Sequence, residues 1–70
     1  MEDELVEEWA AWFREQLLAR DLTQEQAARD LEVTLATVGR WARGHGTPSF
    51  RQLVHVYRVW GELPSVLTER

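Results

Sequence analysis

The feature that most limits how this chain can fold is a closely spaced set of helix-start signals. Thr23 is followed three residues later by Gln26, and Ser49 is followed three residues later by Gln52. Both pairs have the spacing of a capping box, in which the two side chains bond the free backbone N–H groups of a helix's first turn. Thr34 is a third candidate N-cap between them. Helices that begin so close together are short, and each must bury its apolar side against its neighbours.

Apolar residues recur at helical spacing around these signals. An N-terminal helix is predicted from a face made of Leu5, Trp9, Ala10, Trp12, Phe13 and Leu17. Two short helices are predicted over 24–31 and 35–43, the second of which ends at Gly44.

A further helix is predicted to end at Gly61, and Pro64 is predicted at the first position of a last short turn. The predicted buried face of this further helix consists of Phe50, Leu53, Val54, Tyr57 and Trp60. No stretch alternates polar and apolar residues over the length of a strand. The sequence therefore predicts an all-α fold, a compact bundle of four to five short helices.

Length and composition restrict the class of protein. Seventy residues, 44% of them hydrophobic and 29% charged, suit one globular domain over residues 1–70. The absence of cysteine excludes disulfides and thiolate zinc sites. No apolar run is long enough for a membrane span, and the N-terminus is acidic where a signal peptide is basic. We therefore expect a cytoplasmic protein without a membrane partner.

Charge is distributed unevenly along the chain, although the net charge is only -4. Residues 1–32 hold ten acidic residues and three arginines. Residues 33–61 hold Arg40, Arg43, Arg51 and Arg58 and no acidic residue. Because a polyanion responds to the local field of a patch, this segment is predicted to attract nucleic acid.

The two short helices 24–31 and 35–43, joined by three residues, have the outline of a helix-turn-helix with a core at about 23–44. Thr23-Gln24-Glu25-Gln26-Ala27-Ala28-Arg29-Asp30-Leu31 resembles the second helix of the phage repressor and Cro-like (XRE-type) helix-turn-helix family. Val33-Thr34-Leu35-Ala36-Thr37-Val38-Gly39-Arg40-Trp41 is similar to that family's turn and recognition helix, and Arg43-Gly44 followed by Pro48-Ser49 to its next loop. The resemblance covers about residues 10–67 and implies a lambda-repressor-like DNA-binding domain.

The residues themselves predict which side of the recognition helix meets DNA. Val33, Val38 and Trp41 are expected to anchor helix 35–43 to the core, with the opposite side outward. A helix laid in the major groove reads bases with its N-terminal half, and an arginine there can fork onto guanine. The resemblance adds Gln24 as a backbone and base contact, and the 47–51 stretch as a phosphate contact. The predicted DNA-binding residues are Gln24, Thr34, Leu35, Ala36, Thr37, Arg40, Arg43, Thr47, Ser49 and Arg51.

The sequence departs from the resembled family at three positions. Glu32 lies in the turn, where many members have a glycine at positive φ. Leu17 and Ala42 occupy the positions where many members bury an arginine and a glutamate. Losing both partners together leaves no unpaired buried charge, so the fold is expected to survive the change.

Several residue types are better explained by structure than by chemistry. The four tryptophans are expected to fill a small core, although exposed aromatic residues with Leu63, Val66 and Leu67 can form a dimer contact. His45 is predicted in a loop and His55 on the more polar side of its helix, and neither has clustered metal ligands. No nucleophile, histidine and acid come together in the sequence, so neither a catalytic site, a metal site nor a cofactor is predicted.

Two functions remain open from the sequence. The first is a sequence-specific transcriptional regulator that binds double-stranded DNA, as a homodimer on a palindromic operator, and lies on the nucleoid when bound. This regulator would be repressor-like, and a regulatory protein partner is compatible with it. The alternative is a protein–protein interaction module, or an antitoxin-like domain, that retains the helix-turn-helix shape. Leu35 and Ala36, apolar residues at the start of the recognition helix, motivate this alternative.

Overall fold

The computed structural model describes residues 2–68 and contains five α-helices and no strand within that range. The helices are α1 (Glu2–Ala19), α2 (Gln24–Leu31), α3 (Leu35–Arg43), α4 (Phe50–Trp60) and α5 (Ser65–Thr68). The all-α prediction is confirmed, as are the predicted bounds of α2 and α3. Within the described range, no helix combines the length and the apolarity needed to cross a membrane.

The N-terminal caps form as the sequence predicts. Thr23 Oγ1 accepts from the Gln26 N–H at 3.1 Å, and Gln26 Oε1 accepts from the Thr23 N–H at 2.9 Å. In the same way, Ser49 Oγ accepts from the Gln52 N–H at 3.2 Å, and Gln52 Oε1 accepts from the Ser49 N–H at 2.8 Å. Each cap satisfies donors that the helix itself cannot bond and contributes about 1 kcal/mol. These local interactions set where α2 and α4 begin.

Three of the helices end in residues with a left-handed backbone. Glu32 ends α2 at φ 57°, Gly44 ends α3 at φ 76° and Gly61 ends α4 at φ 78°. The turn of the helix pair therefore does adopt the positive φ expected from the family, with glutamate in place of glycine. The prediction for Pro64 is one residue out, because α5 begins at Ser65 and Pro64 precedes it.

The core is built around a cluster of aromatic rings. Trp9, Phe13 and Trp41 are buried, and the Trp41 ring lies edge-on to the other two at centroid distances of 5.4 and 5.5 Å. Trp12 and Trp60 are half-buried at the margin of the cluster and pack against it. All four tryptophans thus serve the core, as the sequence predicts. None of the four is exposed, although Trp9 borders the apolar groove that Val66 and Leu67 also line.

Helix α3 is held between α1 and α2, and α4 packs on α2. Ala27 and Ala28 are both buried, and their small side chains let the backbones of neighbouring helices approach. Val38 of α3 is also fully buried. This packing sets the orientation of α3 relative to the rest of the protein.

Leu17 and Ala42 are both buried within the same hydrophobic cluster. Both positions are therefore filled by buried apolar side chains. The side chain of Arg14, one turn before Leu17, instead donates from Nη1 to the Ala42 carbonyl at 2.6 Å. This bond satisfies one of the orphan carbonyls at the end of α3 and ties α3 to α1.

The predicted buried face of α4 is wrong in part. Phe50, Val54 and Tyr57 point to solvent, with exposed fractions of 82%, 38% and 55%. The side that packs on the core consists of Leu53, Val56 and Trp60. Apolar residues occur all around this helix, so their spacing alone does not select a buried side. Leu5 is also more exposed than its place on the predicted face of α1 implied.

Candidate nucleic-acid interface

The outward side of α3 is the surface on which the sequence places base recognition. Val38 and Trp41 hold its inner side in the core, and Val33 is half-buried beside them. The other predicted contacts on α3 are Leu35, Ala36, Thr37, Arg40 and Arg43. All of them are exposed except Thr37, which is half-buried. Arg40 is exposed, so its guanidinium group is accessible to a ligand.

The start of α3 carries a pair of linked hydroxyl groups. Thr34 Oγ1 accepts from the Thr37 N–H at 3.1 Å and caps the helix. The same hydroxyl donates to Thr37 Oγ1 at 2.9 Å. A hydroxyl has one hydrogen to donate, so Thr37 keeps its own hydrogen free for an outside acceptor. Thr34 therefore acts mainly as a cap, and it leaves Thr37 ready to donate a hydrogen bond.

Arg43 takes a position that sequence reasoning missed. A Cβ added at Gly39 would lie 2.9 Å from Arg43 Nη1, so the guanidinium lies back across the helix over the glycine. Glycine inside a helix destabilises it by roughly 0.5–1 kcal/mol relative to alanine. The signal available in the sequence was this unfavourable glycine placed four residues before an arginine.

Arg14 is a second residue that the sequence prediction did not include. It is exposed, and with Arg43 it borders a shallow depression between α1 and the end of α3. Glu7 also borders this depression. Among the described residues, Glu7 and Arg43 do not form an ion pair within 4.0 Å.

The start of α4 presents a second group of predicted contacts. Thr47, Ser49 and Arg51 are exposed in the loop and first turn. Ser49 Oγ is taken by the cap, but the backbone N–H groups of Phe50 and Arg51 precede the first intrahelical bonds and point out of the helix end. Free N–H groups at a helix N-terminus favour a phosphate.

Gln24 is the first residue of α2 and is exposed. The predicted contacts thus lie at the beginnings of α2, α3 and α4 and along the outward side of α3. The structure supplies their exposure and backbone placement.

The four arginines of residues 33–61 are not neutralised by nearby acids. Among the described residues, ion pairs within 4.0 Å join Arg20 to Glu62 at 3.0 Å and His55 to Glu32 at 3.8 Å. Neither pair includes Arg40, Arg43, Arg51 or Arg58. The positive charge of this segment therefore stays available to an anion.

A protein-family model described as helix-turn-helix matches residues 13–54 of the chain, which is more than half of it. The match begins in α1, contains all of α2 and α3, and ends within α4. Comparisons with curated proteins and with solved structures found no significant match.

Proposed function

The chain belongs to the XRE-type helix-turn-helix family, as in phage repressors and Cro, and from this membership we propose that it is a sequence-specific regulator of transcription. The family match suggests a DNA-binding regulator, which is typically not an enzyme. The sequence-specific action, the residues that carry it and its mode of assembly are our proposal. A DNA partner would place the protein in the cytoplasm, on the nucleoid.

The observation that carries the proposal is the exposed Arg40 on the outward side of α3, within a segment that holds four arginines and no acid. Arg40 lies in the middle of the recognition helix and can donate two hydrogen bonds to guanine O6 and N7. Thr37, one turn before it, has a free hydroxyl hydrogen for a base or phosphate acceptor. Leu35 and Ala36 can touch a thymine methyl.

Affinity that is independent of sequence would come from phosphate contacts. Arg43, Arg51 and the N-terminus of α4 would supply the charge and the free N–H groups for these contacts. Gln24, Thr47 and Ser49 extend these contacts along the backbone. Such contacts release counterions, so binding would weaken steeply as salt increases.

We propose that the protein binds a palindromic operator as a homodimer. One short recognition helix reads few bases, and two helices can reach half-sites about 34 Å apart on one side of the duplex. Val66 and Leu67 are exposed and, together with Leu5, border a small apolar groove of about 110 Å³, whereas Leu63 is half-buried. This groove supports the predicted dimer contact near α5.

Selection of bound duplexes from a random pool tests both parts of the proposal, because a palindromic consensus is the expected result. On the selected duplex, Arg40→Ala is expected to lower affinity by about 1–3 kcal/mol and to relax the preference at one position. Arg43→Ala should weaken all duplexes alike and reduce the salt slope by about 1. Arg29→Ala removes an exposed arginine of α2 and serves as the control. No enrichment from the pool, or equal effects of all three substitutions, would contradict the proposal.

The second candidate function is a protein-interaction module that keeps this fold without binding DNA. Leu35 is 47% exposed at the start of α3, where an apolar side chain suits a protein surface as well as a thymine methyl. This alternative predicts no salt-dependent binding to any duplex and no effect of Arg40→Ala on DNA affinity. A titration of duplex binding against salt concentration therefore separates the two functions.

A further inference from the structure

One face of α4 exposes large apolar side chains that have no role in the core. Phe50, Val54 and Tyr57 lie at spacings of four and three residues, so they form one stripe along the helix. Their exposed fractions are 82%, 38% and 55%. Arg51 and Arg58 lie along one edge of this stripe. We call these five residues the α4 face.

The core and the proposed DNA contacts leave the apolar stripe of the α4 face unexplained, although Arg51 at its edge is also a proposed phosphate contact. Val56 and Trp60, on a neighbouring side of α4, make the contacts with the core. Val54 and Tyr57 lie one and two turns beyond the start of α4, where the phosphate contacts are proposed. Apolar side chains also gain little from a phosphate backbone, which is charged and hydrated. Contiguous exposed apolar residues typically mark a binding surface.

The charge of the α4 face restricts what can cover it. Arg51 and Arg58 have no carboxylate within 4.0 Å among the described residues. No acidic residue occurs between residues 33 and 61. A partner that buries the apolar stripe must therefore bring its own carboxylates to meet two arginines at the edge, since desolvating an unpaired charge is costly.

We propose that the α4 face docks an acidic amphipathic segment of another protein. The stripe from Phe50 to Tyr57 is about 10 Å long at 1.5 Å per residue, which matches two turns of a partner helix. Such a segment would place apolar anchors three, four and seven residues apart on the stripe, with Asp or Glu beside the arginines. The proposal does not rest on DNA binding.

A second copy of this chain fits the α4 face poorly. Symmetric antiparallel pairing of two α4 helices brings Arg51 of one copy towards Arg58 of the other, which is repulsive. The exposed side of α1 is acidic, but its large exposed apolar residues Leu5 and Leu18 are thirteen residues apart, about 20 Å along the helix. That distance is about twice the length of the apolar stripe.

Selection of 16-residue peptides from a random display library against the immobilised protein tests the proposal. The enriched peptides are expected to combine Asp or Glu with apolar residues at helical spacing. The double substitution Phe50→Ser with Tyr57→Ser should lower their affinity at least about tenfold, because anchors at the centre of an interface dominate binding. Leu18→Ser is the matched control, since Leu18 is also 82% exposed but lies on α1, and it should have no effect.

The charge part of the proposal has its own variants. Arg58→Glu should also weaken the enriched acidic peptides at least about tenfold, by placing like charges together, whereas Arg29→Glu on α2 should not. Arg58→Glu keeps the test valid if the double serine variant fails to fold, as judged by circular dichroism. Tyr57→Ser alone should leave duplex affinity unchanged, which separates this surface from the DNA contacts.

Four results from the peptide and sedimentation experiments would overturn the proposal. They are no enrichment of any peptide, enrichment of basic peptides, equal binding of the enriched peptides to the double serine variant, and sedimentation showing a dimer that the double serine substitution dissociates. A loss of duplex affinity in Tyr57→Ser as large as that in Arg43→Ala would likewise assign the surface to DNA and reject it.

Discussion

Replacing Glu32 with glycine is expected to stabilise the fold, because this residue ends α2 in the left-handed region at φ 57° and ψ 44°. A residue with a Cβ is disfavoured there by about 1–2 kcal/mol. Glycine avoids that cost but loses about 0.4–1 kcal/mol through the greater freedom of its unfolded chain. The difference is about 0.5–1 kcal/mol in favour of the variant. For a domain of this size, that is a rise of about 2–8 °C in Tm.

The contacts around Glu32 allow a clean control. Its N–H bonds the carbonyls of Ala28 and Arg29, and the substitution keeps both bonds. Its carboxylate is 78% exposed and lies 3.8 Å from His55 Nε2, so this pair contributes at most about 1 kcal/mol, and less in salt. Glu32→Ala removes the same carboxylate but keeps the Cβ. Comparing the two variants therefore isolates the backbone term.

Thermal unfolding followed by circular dichroism measures the effect, at high and low salt. The expected order of stability is Glu32→Gly above Glu32→Ala. Asp21, which also has a positive φ of 56°, should show the same order when replaced by glycine and by alanine. A glycine variant no more stable than the alanine variant at both sites would refute the reasoning. That result would mean that the left-handed conformation has no energetic cost at these sites, or that the turn relaxes to another backbone conformation in the variants.

Three further predictions concern stability and the DNA surface. Gly39→Ala should raise the free energy of unfolding by about 0.5–1 kcal/mol in thermal unfolding, because alanine favours a helix more than glycine does. It should also lower duplex affinity in a titration, because the added Cβ displaces the Arg43 guanidinium. Unchanged affinity would contradict the assigned position of Arg43. Phe13→Ala should cost about 3–5 kcal/mol, as much as a core this small supplies, so circular dichroism should show loss of helix. A cooperative melt near that of the parent would reject this estimate. Arg20→Met should cost about 1 kcal/mol in low salt and less in high salt, because it removes the ion pair with Glu62. A salt-independent loss would instead assign the effect to the contacts of the guanidinium with the Trp60 carbonyl and ring.

The boundaries of α2, α3 and α4 could be predicted because each depends on neighbours in the chain. Thr23 and Ser49 cap helices with partners three residues away, and the left-handed ends lie at the positions that the turns require. The outward side of α3 was also predictable. Its large apolar residues Val38 and Trp41 lie three residues apart and are buried, while Arg40 is exposed, although the apolar Leu35 and Ala36 also face outward. Local bonds and a clear periodicity need no knowledge of the tertiary structure.

The buried side of α4 could not be predicted in the same way. Seven of its eleven residues are apolar and they surround the helix. Which of them is buried depends on the space that the other helices leave. The aromatic cluster of α1 and α3 takes Trp60 at its margin and Val56 beneath, so Phe50 and Tyr57 are left outside. The α4 face exists only as a result of that packing.

The sequence by itself determined the all-α fold, the bounds of α2 and α3, both ends of α4 and the acid-free arginine segment, since these follow from residues close together in the chain. Only the tertiary structure decided the position of the Arg43 guanidinium over Gly39, the bond from Arg14 to the end of α3, and the side of α4 that meets solvent. Each of these depends on the room left between packed side chains. In a close-packed interior, that room is a property of the whole set of helices and not of any one of them.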